Sequence, residues 1–140
     1  MAFTGFTSRF KGKILAAWGF IKRLYVFDEF VIKPQIVVAA GSNSQANATV
    51  LTTPLTFITT VSATTRGLIL TAPTDTLGIG GGSMQFLFNG AATNRCKVYP
   101  PVGFRIGTAA TNASVYLAAQ KGSLYACQDG TTTFQVMTGA

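Results

Sequence analysis

Histidine is missing from this chain altogether, which removes the commonest general base, metal ligand and pH switch together. Acid is scarce as well, with four Asp and Glu against eleven Lys and Arg. Of these acids, Asp129 reads as part of a hairpin turn and Asp75 as part of a Thr-Asp-Thr loop. Neither has a base, nucleophile or oxyanion donor beside it, so no catalytic residue is assigned and the chain is expected not to be an enzyme. Cys96 and Cys127 are the only cysteines and match no metal-ligand spacing. They are expected as buried, reduced thiols, since a disulfide needs an oxidising compartment that nothing else in the sequence establishes. No metal and no cofactor is expected.

Long apolar runs are absent too. The stretch from Ile14 to Ile21 is cut by Lys22 and Arg23, and the next by Asp28 and Glu29, well short of the ~20 residues that span a bilayer. "ILAAWGFI" is a poor signal-peptide core with no small-residue cleavage site after it, so the mature protein is expected to begin at its start codon.

What is present suits a single domain: 140 residues can bury a core without cross-links. At 48% hydrophobic and 11% charged the chain is too apolar for general disorder, and so few charges imply surface hidden in an assembly. The net charge of +7 is concentrated, with +4 of it in the first 35 positions. Such basicity fits nucleic acid, an anionic membrane or an acidic protein surface, and charge alone does not choose among them.

Pro34 separates two chemical regimes. Before it, Phe10, Ile14, Trp18, Ile21 and Tyr25 recur at spacings of three and four behind Ser8, a helix-capping residue type. Gly12 and Gly19 weaken that helix, and Phe20, Leu24 and Phe27 widen its apolar side until little polar face remains. Residues 24–38 suit an extended arm equally well. Residues 1–40 are therefore read as an N-terminal arm, helix followed by extended segment, and residues 41–140 as a separate β domain.

Short strands and turns fill that domain. "PLTFITTVS" puts Leu55, Phe57 and Val61 on one face, with Thr59 the exception, and "GLILT" follows a "TTRG" turn. "MQFLFNG" alternates with Phe86 and Phe88 on one side and ends in Asn89-Gly90, a tight-turn signal. "RCKVYPP" alternates Cys96 and Val98 against Lys97 and Tyr99 until the paired prolines stop the ladder. "GFRIG" and "SVYLAA" are shorter candidates, and "SLYACQ" with "TTTFQVM" flank Asp129-Gly130 as a hairpin. Evenly spaced short strands predict a mainly β fold, a small antiparallel sandwich or barrel of jelly-roll type. No fixed period repeats, so no solenoid is predicted.

Two stretches of this domain resemble a small β module of tailed-phage virion proteins. The first is Val98-Tyr99-Pro100-Pro101-x-Gly103-x-x-Ile106; the second is Leu117-Ala118-x-x-Lys121-Gly122. The likeness covers roughly residues 47–137, and the module recurs in capsid decoration or cement proteins, head fibres and tail-fibre tips. Two departures stand out: Phe134 occupies the place of a usual Trp, and only about 40 residues precede the module, which excludes a long shaft. The resemblance implies a homotrimeric decoration protein on the capsid surface, assembled in the host cytoplasm and partnered with the major capsid protein. In that reading Phe3, Phe6, Phe10, Trp18, Phe20, Tyr25, Phe27 and Phe30 anchor the arm to the shell, with Arg9, Lys22 and Arg23 as a charged rim. A membrane surface and nucleic acid rank below a protein partner. The alternative is a short head or tail fibre whose tip recognises a host glycan.

Sharper motifs weigh little. "GIGGGS" (78–83) lacks the Lys-Ser or Lys-Thr of a phosphate loop. Asn47-Ala-Thr49 and Asn112-Ala-Ser114 are formal sequons that a Thr- and Asn-rich chain produces by chance. Arg95, Lys97 and Arg105 straddle the proline turn, and are read first as solvated sheet-edge charge and second as a site for an acidic partner.

Overall fold

The computed structural model describes residues 33–41, 43–73, 82–128 and 130–138. The expected N-terminal helix and every residue assigned to capsid docking lie outside that set, as do Asp75 and Asp129. The described chain from Ile32 onward belongs to one compact unit.

Ten strands occur among the described residues, β-branched and aromatic side chains favouring extended backbone. They are β1 (Gln35–Val38), β2 (Thr49–Val50), β3 (Leu55–Thr60), β4 (Gly67–Ile69), β5 (Gly82–Asn89), β6 (Cys96–Tyr99), β7 (Arg105–Ile106), β8 (Val115–Leu117), β9 (Lys121–Gln128) and β10 (Thr133–Thr138). A single 3-10 turn (Gln45–Asn47) precedes β2, and no α-helix occurs among the described residues. The protein is thus mainly β, as expected. Residues 35–38, read from the sequence as the end of the arm, form strand β1 of the body.

The strands divide into a six-stranded sheet, ordered β1-β3-β5-β9-β10-β7, and a four-stranded sheet, ordered β2-β4-β6-β8. Pairing is mixed, which corrects the antiparallel expectation. β3 runs parallel to both β1 and β5, β4 parallel to both β2 and β6, and β7 parallel to β10. Only β5 with β9, β9 with β10, and β6 with β8 are antiparallel. The reason lies in the connectivity: up to β6 the chain changes sheet at every strand, so each return to a sheet repeats the direction of the strand already there. Three turns are wound in this way. Their odd strands begin at Gln35, Leu55 and Gly82, unequal intervals that leave no period in the sequence. The hairpin β9–β10 then closes the large sheet, with Gln135 opposite Ala126 and Thr131 Oγ1 donating to the Gln128 carbonyl.

One core lies between the sheets. Ile58, Leu87, Tyr125 and Phe134 come from the large sheet; Leu68, Val98, Cys96 and Leu117 come from the small one. The large sheet also turns four polar residues inward, Thr56, Gln85, Asn89 and Ser123, and two of these amides clamp the chain. Gln85 Oε1 accepts from Thr71 N while its Nε2 donates to Thr71 O, at 3.1 and 2.8 Å. Asn89 donates to the carbonyls of Asn94 and Leu117 and accepts from Ala91 N. The Asn89-Gly90 pair therefore ends a strand without forming a two-residue hairpin. Neither residue has a positive φ, and the asparagine is spent on the core.

Thr56 Oγ1 has no hydrogen-bond partner although the residue is fully buried. Thr56→Val is expected to stabilise the fold by about 1 kcal/mol, since it deletes an unsatisfied hydroxyl at constant shape. Asn89→Ala is expected to do the opposite, costing about 2–4 kcal/mol by orphaning buried backbone groups. Urea denaturation of the two variants measures both signs.

Candidate functional site

No group of three or more His, Cys, Asp or Glu able to hold a metal exists among the described residues. All four acids of the chain fall outside them, so the described body carries cations alone: Lys33, Arg66, Arg95, Lys97, Arg105 and Lys121. Both cysteines are free and buried in the core, as the sequence predicts. Burial pushes the Cys96 thiol up to about 12, and it likewise holds the Tyr125 phenol well above its ordinary range, against a lowering contribution from a hydrogen bond to Ser123. Cys96 and Tyr125 are thus held neutral by burial and serve as core components.

What the body presents outward is surface. The strand faces that carry Leu55 with Phe57, and Phe86 with Phe88, are turned away from the core. Their registers stack them into one sheet face. Ile36 lies beside Phe57, Phe57 beside Phe88, Leu55 beside Phe86, Phe86 beside Leu124, and Leu124 beside Met137. Met84 and Met137 are exposed by 63% and 61%, Ile36 by 70%, so the face is open across its width. The Phe57 and Phe88 rings meet edge to face with centroids 6.1 Å apart, which holds the middle of the face rigid.

A second feature sits on the four-stranded sheet. β6 and β8 place Lys97 opposite Tyr116. The Arg95 guanidinium lies 3.7 Å from the Tyr116 ring centroid, and the Lys97 ammonium 5.8 Å. Lys97 Nζ also donates to Asn43 Oδ1. Stacking in this way attaches two cations to an exposed aromatic ring, with Arg95 itself exposed. Arg105, grouped with these two by sequence, is placed in the other sheet, where its Nε donates to Thr133 Oγ1. The proline-turn patch is thus two residues and a tyrosine, and Tyr116 is the member that sequence reasoning missed. Its only signal was alternation within "SVYLAA".

Residues 98–106 make the crossing between the sheets. Val98 and Tyr99 close β6, Pro100 is buried, Gly103 turns the chain with φ of 84°, and Ile106 enters the core from β7. The turn is fastened by Phe104 N donating to Pro101 O and by Gly103 N donating to Asn112 Oδ1. Asn112, read from the sequence as half of a chance sequon, therefore has a structural task. Asn47 of the other sequon is exposed. No helix among the described residues is long and apolar enough to cross a membrane.

Cys96 ionises in the unfolded chain near its ordinary value of 9.0 but not in the fold until about 12. Its contribution to stability is complete below pH 9.0 and declines as pH rises from there toward about 12. The urea midpoint is accordingly expected to fall on alkalinisation through this window. At pH 8 a thiol reagent should label the folded protein roughly 100-fold more slowly than the denatured one, in which both cysteines react. No protein family, curated protein or solved structure matches the chain, and its functional reading therefore rests on its own residues.

Proposed function

We propose that this protein is a structural component of a tailed-phage virion. It is a homotrimeric capsid decoration or cement protein that grips the major capsid protein through its N-terminal segment and stabilises the shell. The carrying observation is the broad apolar face of the six-stranded sheet. A protein that works by being built into an assembly has a use for such a face, whereas a freely diffusing catalyst gains only a liability to aggregate. The virion setting comes from the resemblance of residues 98–106 and 117–122 to phage modules.

The chemistry of the N-terminal segment supports the attachment. Eight aromatic residues precede Pro34, each able to bury ~150–250 Å² worth ~25 cal/mol per Å² before ordering costs. Three such segments on one trimer multiply weak single contacts through effective concentration. A clamp of this kind raises the barrier to local shell opening, so its work is mechanical.

Deletion of residues 1–31 is expected to leave a folded body, because every core residue identified above lies after Ile32. The same deletion should abolish binding to shells. Co-sedimentation of the truncated protein with undecorated capsids measures this, and retained decoration would refute attachment through that segment. Particles lacking the protein should also lose their contents at a lower temperature than complete ones.

A further inference from the structure

We propose that the outward face of the six-stranded sheet is the surface on which copies of this chain join to one another. The inference rests on the homotrimer of the proposed function and names the surface that forms it.

Size is the first argument. Ile36, Val38, Phe57, Met84, Phe86 and Met137 are exposed by 39–70%. Strand register makes them one contiguous apolar patch, the kind of surface that marks an interaction site. Three copies can turn these faces toward one threefold axis, each face meeting part of both neighbours and leaving water there.

Charge is the second. No charged side chain occupies an outward position of β1, β3, β5, β9 or β10. The first is Arg105 on the edge strand β7. An acidic partner or an anionic membrane finds no cation across the middle of the face, only Arg105 and Lys121 at its rim. The complementary surface is another charge-free apolar face of similar extent, and every further copy of the chain carries one. Charge is confined to the rim of the face, with Arg105 on the edge strand and Lys121 beside Phe86, Phe88, Leu124 and Met137.

Rigidity is the third. A Cβ on Gly122 would stand 2.9 Å from Phe86 Cζ, so the missing side chain lets the Phe86 ring lie back over the strand. That ring and the Phe57–Phe88 pair are held before any partner arrives, and little side-chain freedom remains to be lost on docking. Met84 and Met137 flank them with adaptable, polarisable chains that fill what the rings leave.

The test compares the full-length protein with Met84→Glu/Met137→Glu by sedimentation velocity and light scattering. Near-ultraviolet circular dichroism reports whether the fold is intact. Ile36→Lys serves as a second, single variant in case the double one misfolds, and Val102→Glu, on a turn away from the face, as control. The wild type and the control are expected to be trimers, with Met84 and Met137 oxidised by peroxide at least tenfold more slowly than in monomeric Ile36→Lys. Both face variants are expected to fall to folded monomers. A folded variant that stays trimeric overturns the proposed surface while leaving the trimer intact. A monomeric wild type overturns the trimer and the surface together, and if its methionines are still protected the face is covered by the chain's own N-terminal segment instead.

Discussion

Asn89 holds one end of the sandwich together. Its side chain reaches the carbonyls of Asn94 and Leu117 and the amide of Ala91, while its own carbonyl accepts from Gln120 N. Around it, Gly90 N donates to Ile58 O and Asn94 Nδ2 to Val61 O. The ends of β3, β5 and β8 and the approaches to β6 and β9 therefore meet at one buried amide. A chain that changes sheet at nearly every strand must turn many times at the sandwich ends, where ladder partners run out. Buried backbone groups there need side-chain partners, and an amide that both donates and accepts supplies them from a single position.

That solution changes what the large sheet can put outside. With Thr56, Gln85, Asn89 and Ser123 committed inward, the alternate positions of the same strands carry Phe57, Met84, Phe86 and Leu124 outward. Polar groups inside tie the crossings, and large apolar groups outside form a face. Both follow from a side-chain period of two, because one inward choice settles the whole row. The face is thus the direct counterpart of the clamps in the core, and it ties the folding problem to the assembly proposed for this protein.

Alternation was legible wherever a strand had a clear boundary. β6 shows Cys96 and Val98 inside and stops at Pro100; β9 and β10 form the hairpin around Gly130; β4, β7 and β8 lie where "GLILT", "GFRIG" and "SVYLAA" place them. Strand direction was not legible, because parallel and antiparallel neighbours have the same local pattern and only the route between them differs. The two-residue strand β2 left no mark, being too short to alternate. The Arg95 and Tyr116 stack was hidden for a related reason: its members lie on different strands, and only the register of β6 against β8 brings them together.

By residue type and short-range alternation, then, this sequence determined that the described body would be β and that its thiols would be free and buried. Those properties belong to residue types and short-range order. Which face of β3 and β5 lies inside was decided by tertiary structure, since a strand offers both faces and only the neighbouring sheet, with its buried carbonyls to satisfy, selects one. On β5 the carbonyls of Thr71, Asn94 and Leu117 are met by the amides of Gln85 and Asn89, which leaves Phe86 and Phe88 on the outward face.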